Sequence, residues 1–509
     1  MPSIDATPVI VGVAQATWRE RDAGRSPVDA LQAVAEAAFE DCGTTRLRAA
    51  VDAVVHVPFL LNQVPELAPA MPRNAGAAVA GRLGLRAAQY SADVGGNLPQ
   101  QLLEVAAARL RAGEHRAVLL AGAELLHSFL GGLRAGEGLP DWHSGRDDEP
   151  QLLLRSPPMS ADSELAHGLY EPVAAYPLFE SALRHRLGLD AQGQAARLGR
   201  LVSDMSRVAA DNPRAWKQRF YTPQEVLDPA AGNRYVCHPY TKLMNAIIAV
   251  DMAACVLLTT AGTARELGVP PEQCVYLRGA ASAADALTLS ERPSLSESPA
   301  LRAAGRAALG QSGLALDELD CLDLYSCFPS AVQVGCEALG LALEDPRGLT
   351  VTGGLTLFGG PGNNYSLHAI AELCTRLRAR RPAAGLVWAN GGYLSKHAVG
   401  VYASEAPAQP WEPPDAAVLQ ASVDALPRPA LAPHGEGALT VEACTVRYEQ
   451  GEPALGIVLG RLADGRRCLA QSRDAAALQR LLEDDCVGLR GQVAPGEPVN
   501  RFAFSGADG

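Results

Sequence analysis

GGNLPQQLLEVAAARLRAGEHRAVLLAGAE (Gly95–Glu124) and GGPGNNYSLHAIAELCTRLRARRPAAGLVWANGG (Gly359–Gly392) follow one plan. Each opens with a Gly-rich turn, continues into a helical segment, and carries the tetrapeptide RLRA near the helix end. Each then closes with a short loop and an apolar strand. The tetrapeptides Arg109–Ala112 and Arg376–Ala379 lie 267 residues apart. A repeat at such a distance predicts two duplicated α/β halves. The same pattern also arises by coincidence in a chain rich in Ala, Leu and Arg.

Around these stretches, short apolar strands alternate with amphipathic helices, as an α/β chain requires. Strand-like runs fall at Thr7–Val13, Ala117–Ala121 and Gly385–Ala389, and Val28–Phe39 has helical spacing. The texture changes between about 125 and 235, where a polar stretch precedes long helical segments from Leu178 to Val208. This reads as an insertion over a core. A proline-rich stretch at 406–432 marks a second boundary. Beyond it, Leu439–Tyr448 and Ala454–Leu462 read as strands and Arg473–Asp485 as a helix.

The full chain has 509 residues, 44 Lys and Arg against 56 Asp and Glu, and a net charge of −12. Mean hydropathy is +0.01. Those values fit a globular protein and speak against a nucleic-acid partner, which a basic excess would signal. No uncharged apolar run reaches about 18 residues and no basic segment precedes an apolar core at the N-terminus, so neither a membrane span nor a signal peptide is expected. Eleven cysteines lack CxxC pairing. They predict reduced thiols in a cytoplasmic protein, without disulfides or a metal site. Only three lysines occur, Lys217, Lys242 and Lys396.

Several motifs carry chemistry beside a plain structural reading. The Gly95–Asn97 turn places free N–H groups and a helix dipole where they favour negative charge, or is a tight turn that needs glycine. Asp323–Pro329 offers Tyr325, Ser326 and Cys327 at a strand-to-helix junction, or is a half-buried strand end. Leu386–Gly400 sets Asn390, Gly391, Tyr393, Lys396 and His397 just after a buried strand. Tyr235–Asn245 groups Cys237, His238, Tyr240, Lys242 and Asn245, or is a polar loop. From Leu183 to Phe220 eight basic residues face three aspartates. Such a patch suits a polyanionic small molecule held by Arg184, Arg186 and Lys217, with Trp216 stacking on a base, or is a salt-bridged helix surface.

Together these motifs resemble the thiolase superfamily over nearly the whole chain. The resemblance is closer to the sterol carrier protein X-type thiolases and closest to the thiolase-like proteins type 1. It is carried by VGGNLPQQLLEVAAARLRAGE, ADNPRAW, HPYTKLMNAIIAVDMAA, LDLYSCFPSAVQVGCEALGL, VTGGLTLFGGPGNNYSLHA and ANGGYLSKHAVGVY. It implies a five-layered αβαβα fold with an N-terminal half over 1–125 and 236–265, a helical loop domain over 126–235, and a C-terminal half over 266–405. A linker over 406–432 and a small OB-like β-barrel over 433–509 complete it. It also implies acyl-coenzyme A as substrate or ligand, lipid metabolism, an acyltransferase name, no covalently bound cofactor, and a homodimer through the core.

The departures from the thiolase pattern concern the chemistry. The acyl-accepting cysteine of thiolases falls at Gly96, followed by Asn97. The Asn of the second motif falls at Phe328, the Gly-His-Pro motif becomes Gly359-Gly360-Pro361, and the second catalytic cysteine falls at Ala389. Loss of the nucleophile removes covalent acyl transfer. The remaining polar lining expected for a cleft between two helix starts is Tyr325, Cys327, Asn363, Asn364, Tyr365, His368, Asn390, Tyr393 and His397, with Gly96, Asn97, Gly360 and Gly391 allowing close approach. Three readings stand: an acyltransferase-like protein on acyl-coenzyme A, a non-covalent retro-aldolase or lyase in which Tyr325, Cys327, Tyr393 and His397 move protons with Lys396 as neighbouring cation, and a silent acyl-coenzyme A binder.

Overall fold

The computed structural model describes residues 4–145, 148–230, 232–483 and 485–504. The outermost ends of the first and last predicted domains lie outside these residues. The N-terminal half comprises β1 (Pro8–Thr17), α1 (Pro27–Asp41), α2 (Arg46–Ala50), β2 (Val51–His56), α3 (Ala75–Arg82), β3 (Ala88–Ala92), α4 (Leu98–Arg111) and β4 (Ala117–Leu125). An insertion follows with α5 (Leu126–Arg134), β5 (Gln151–Leu154), α6 (Asp162–Ala166), α7 (Pro172–Arg186), α8 (Ala191–Asp211), α9 (Pro223–Leu227), β6 (Tyr235–Cys237) and β7 (Tyr240–Thr241). The half is completed by β8 (Asp251–Thr260) and α10 (Ala261–Glu266). The C-terminal half has β9 (Val275–Ala284), α11 (Pro299–Ser312), β10 (Cys321–Leu324), α12 (Pro329–Leu339), α13 (Tyr365–Ala379), β11 (Ala384–Gly391) and β12 (Lys396–Ala403). Then come α14 (Ala416–Asp424), β13 (Gly437–Glu449), β14 (Glu452–Leu462), β15 (Arg467–Ser472), α15 (Ala475–Glu483), β16 (Arg490–Ala494) and β17 (Arg501–Phe504).

The duplication is visible strand by strand. In the first half β3–β2–β4 run parallel and β4–β8–β1 antiparallel. In the second half β10–β11 are parallel and β11–β12–β9 antiparallel. The Leu324 amide donates to the Leu349 carbonyl at 2.9 Å, which sets the 349–351 segment where the first half has β3. The two half-sheets meet edge to edge where Val9 opposes Tyr276 and Ile10 opposes Val275. Helices α4 and α13 lie between the two half-sheets, α1 covers the first half and α11 the second, giving five layers. The RLRA tetrapeptides occupy equivalent places at the ends of α4 and α13.

Local chemistry starts these helices. Ser26 and Asp29 form a capping box ahead of α1, with Pro27 at the first helical position. Ser298 caps α11 by accepting from the Leu301 amide at 3.1 Å. At α4, Gly95 takes φ +153°, open to glycine alone, and Pro99 sits in the first turn.

Strands β13–β14–β15–β17–β16 close into a five-stranded barrel. Its core is Val446, Val458, Ala470, Val493 and Phe502, with Leu478 and Leu481 of α15 packed on it. The barrel is joined to the insertion, since Cys237 of β6 pairs with Arg447 of β13. The chain thus rejoins the core sheet at Asp251, beyond the expected 236, because β6 and β7 extend the barrel sheet. The proline-rich stretch 406–432 holds α14, capped by Asp415.

Candidate functional site

The starts of α4 and α13 face each other across the two halves, and polar side chains stitch them together. Asn363 donates to the Pro58 carbonyl at 2.9 Å and accepts from the Gly95 amide at 3.0 Å. Asn364 donates to the Gly122 carbonyl at 2.7 Å, and Ser366 to the Gly96 carbonyl at 3.2 Å. Tyr365 donates to Asp323 at 3.0 Å; burial pushes the Asp323 carboxyl up to about 6. A Cβ on Gly96 would overlap the Tyr325 hydroxyl and lie 2.7 Å from Tyr325 Cζ and 2.5 Å from the Asn390 carbonyl oxygen. The place of a nucleophilic side chain is therefore filled by Tyr325. The cleft expected between the helix starts is closed, because these side chains are buried and bonded across it.

The insertion seals the site from above. The Tyr176 ring of α7 stacks on Phe328 with centroids 4.4 Å apart. Its hydroxyl accepts from Asn390 Nδ2 at 2.9 Å and from the Leu394 amide at 3.2 Å. Burial, and then Cys327, drive the Tyr325 pKa far above its usual value, and burial pushes the Cys327 thiol up to about 12. Tyr393 is half-buried, its pKa raised by burial despite a hydrogen bond to Ser160. Among the described residues, no cation contributes to the Tyr325 shift, which comes from burial and Cys327. Lys396 donates instead to the Val94 carbonyl at 2.6 Å and to Ser156 Oγ at 3.0 Å.

His397 belongs to a different cluster. Strand alternation turns its ring toward the cap of α11, although His397, Asp285 and Lys396 all border one cavity. Its Nδ1 accepts from Trp388 Nε1 at 3.3 Å, and its Nε2 lies 3.0 Å from Ser298 Oγ and 3.3 Å from Asp285. Burial lowers its pKa against the pull of Asp285. Burial also works to raise Asp285, yet Arg292, 3.2 Å away, with His397 and Ser298, holds that carboxyl well below the usual range. Both imidazole nitrogens are engaged inside the fold, with Trp388, Ser298 and Asp285 as partners, and none of these contacts reaches Tyr325. His368 lies away from the site as well, against Phe358 and Gln15, with a pKa lowered to about 3 by burial and Arg214. Gly360 sits under the 246–247 strap, its amide donating to the Ile247 carbonyl at 2.8 Å. Gly391 is packed against Asn97, whose side-chain oxygen a Cβ there would overlap.

The basic patch divides. Arg184 is buried and bonds its own chain at the Leu189 carbonyl, 3.2 Å away. Arg186 pairs with Glu337 of α12. Trp216 and Lys217 lie elsewhere, their amides donating to the Phe358 and Leu357 carbonyls at 2.7 and 3.0 Å. Burial lowers the Lys217 pKa, and Lys242 and Arg219 beside it lower it further. Lys242 therefore joins Lys217, a partnership the sequence signalled only through the scarcity of lysine. Two further participants gave no signal of their own: Tyr176, and the Arg155–Ser156 strap. That strap, with Asn97, Leu98, Lys396 and Gln420, lines a cavity of about 530 Å³ that touches neither Gly96 nor Tyr325. Among the described residues, no group of three His, Cys, Asp or Glu side chains is placed to hold a metal, and no cysteine is joined in a disulfide.

Comparison with known proteins matches residues 418–497 to the thiolase-like protein type 1 additional C-terminal domain. No match comes from the curated proteins. A monomeric SCP2-thiolase-like protein type 1 from Mycobacterium smegmatis is 36% identical, with 99% of this chain and 100% of that one covered and a TM-score of 0.84. The Ltp2–ChsH2(DUF35) aldolase is 19% identical over 79% of this chain and 98% of that one, with a TM-score of 0.58. Acetyl-CoA acetyltransferase from Syntrophomonas wolfei is 16% identical over 78% and 99%, with a TM-score of 0.52. These last two show a shared fold. No helix among the described residues is long and apolar enough to cross a membrane. A duplicated α/β core, an inserted helical domain and a fused five-stranded barrel, matched end to end at this identity, mean that the chain belongs to the SCP2-thiolase-like protein type 1 family.

Proposed function

We propose that the protein binds an acyl-coenzyme A without covalent acyl transfer. The observation that carries this reading is the occupied position at Gly96: the Tyr325 hydroxyl lies where a nucleophile would stand, and Cys327 beside it is held as a thiol. Acyl transfer needs an activated nucleophile in reach of the thioester. Recognition needs only a cationic surface for phosphates and a flat ring for a base. Lys217, Lys242 and Arg219 beside Trp216 supply both at the edge of the insertion, and Arg184 and Arg186 drop out of that role. The lyase reading stands second, because burial holds the Tyr325 hydroxyl protonated and no cation among the described residues acts on it.

Cysteines that form no disulfide among the described residues fit a reducing compartment such as the cytoplasm. The chain is read as a monomer, in place of the homodimer expected from the sequence. Strand β5 pairs in parallel with β3 and covers the edge of the first half-sheet. The similar mycobacterial protein is itself described as monomeric.

Titration calorimetry with coenzyme A tests the reading. The Lys217→Met, Lys242→Met double variant is expected to bind at least about tenfold more weakly and with a smaller salt dependence. Unchanged affinity and salt slope would overturn the placement. A stable acyl adduct after incubation with acetoacetyl-coenzyme A, located by mass spectrometry, would overturn the non-covalent reading.

A further inference from the structure

The cavity of about 530 Å³ opens on the side of the α4 start away from Tyr325. Its floor is Asn97, Leu98 and Lys396, and α14 with Arg428 closes the far side. Lys396 Nζ donates to the Val94 carbonyl at 2.6 Å and to Ser156 Oγ at 3.0 Å. An ammonium has three donors, whereas a neutral amine has two N–H groups and a lone pair. The two acceptors satisfy the neutral amine and leave its lone pair free. No carboxylate forms an ion pair with Lys396 among the described residues, and the positive end of the α4 dipole beside it opposes an added proton.

Two further observations point to a ligand. Asn97 is 2% exposed and lines the same cavity, yet its Oδ1 has no hydrogen-bond partner. Arg155 lines the cavity from the exposed side of the strap, and none of the ion pairs among the described residues involves it. A cavity with a nucleophilic amine, a free acceptor and an unneutralised guanidinium fits a carbonyl compound that also carries an acid group.

We propose that Lys396 is an amine nucleophile that forms an imine with a small oxo acid in this cavity, the acid group resting at Arg155. The Nζ lone pair attacks the carbonyl carbon to give a carbinolamine, whose hydroxyl has the free Asn97 oxygen as acceptor. That hydroxyl leaves as water, carrying the carbonyl oxygen and both protons of the amine. A C=N bond replaces the C=O bond, and nothing is oxidised or reduced. The site stands apart from the coenzyme A surface at Lys217 and Lys242.

Burial supports the same chemistry by lowering the Lys396 pKa to about 8. Asp93 opposes this shift; it anchors the strap by accepting from the Ser156 amide at 2.7 Å. The other charged groups on the cavity wall are engaged with neighbours: Asp285 with Arg292 and His397, Glu291 with the Thr288 hydroxyl, and Asp424 with Arg428 at 3.4 Å.

Trapping with pyruvate and sodium cyanoborohydride on the full chain tests the proposal, with peptide mapping of the adducts between pH 6.5 and 9. The other two lysines serve as internal references. Because a depressed pKa enlarges the free-amine fraction, Lys396 is expected to be trapped at least about tenfold faster than exposed Lys242 near pH 7. Its rate should rise with pH to a midpoint near 8. Arg155→Gln should slow trapping by pyruvate several-fold and leave trapping by acetone unchanged. Lys396 labelled no faster than Lys242 would overturn the nucleophile, and an Arg155→Gln variant that traps pyruvate at the wild-type rate would overturn the oxo acid.

Discussion

Restoring a thiol at the start of α4 is the most direct trial of the closed site. Gly96 does not have a positive φ, so space, not backbone conformation, limits what can stand there. A Cβ at this position overlaps the Tyr325 hydroxyl and comes within 2.5 Å of the Asn390 carbonyl oxygen. The first clash is relieved only by displacing a ring packed edge-on against Tyr365 at 5.4 Å. The second is with the backbone of β11, a strand buried throughout its length. Overpacking of this kind costs about 1–3 kcal/mol, and a backbone atom among the clashes places Gly96→Cys toward the upper end. We expect a loss of at least about 2 kcal/mol in urea denaturation followed by tryptophan fluorescence, a large part of the ~5–15 kcal/mol typical of a folded protein. Adding Tyr325→Ala removes the ring clash and leaves the carbonyl one. The double variant should therefore be more stable than the sum of the single changes by about 1 kcal/mol or more. Wild-type stability for Gly96→Cys, or rapid acylation of the introduced thiol by acetyl-coenzyme A, would refute the reasoning.

Glu124 gives a prediction with a defined pH window. Burial raises its carboxyl from 4.5 to about 8, and the Leu60 amide donates to it at 2.6 Å. Because the folded pKa lies above the unfolded one, this group favours the folded state fully below about pH 4.5 and loses that contribution as the pH rises through 8. Glu124→Gln keeps an acceptor for Leu60 and should flatten this fall, so its stability relative to wild type grows between pH 5 and 8.5 by about 3–5 kcal/mol. A constant difference across that range would count against it. His397→Ala should destabilise the protein by about 2–4 kcal/mol, because Asp285 and Trp388 lose a buried partner. Coenzyme A affinity of the folded variant should stay at the wild-type value in calorimetry. A variant of normal stability with weakened binding would return His397 to the ligand site.

The duplication was legible because it is a property of local pattern. A Gly-rich turn, a helix ending in RLRA and a buried strand recur at the same spacing, and α4–β4 and α13–β11 follow that spacing element by element. The missing nucleophile was legible too, since Gly96 has no side chain whatever its surroundings. That its place is already filled was not. The fact depends on Tyr325 arriving from the other half of the duplication and on Tyr176 meeting Asn390 from 214 residues away. The basic patch misled for a related reason. Counting charges along α7 and α8 cannot tell whether they converge, and Arg184 turns to its own Leu189 carbonyl while Arg186 turns to Glu337. Lys396 and His397 bring the two kinds of signal together. Adjacent in sequence, they drew notice as a single motif, but a strand sends neighbours to opposite faces. The histidine goes into the buried network that braces the start of α11, where both its nitrogens are engaged. The lysine goes to the layer of α4, beside the one helix start that has lost its nucleophile. A glycine at position 95 is part of that arrangement, because a Cβ there would lie 2.8 Å from Lys396 Nζ. The two glycines thus act differently: Gly96 gives up the thiol's place to Tyr325, and Gly95 leaves room for the Lys396 amine on the cavity side of the helix start. If this fold performs covalent chemistry in this chain, Lys396 is the side chain placed to begin it.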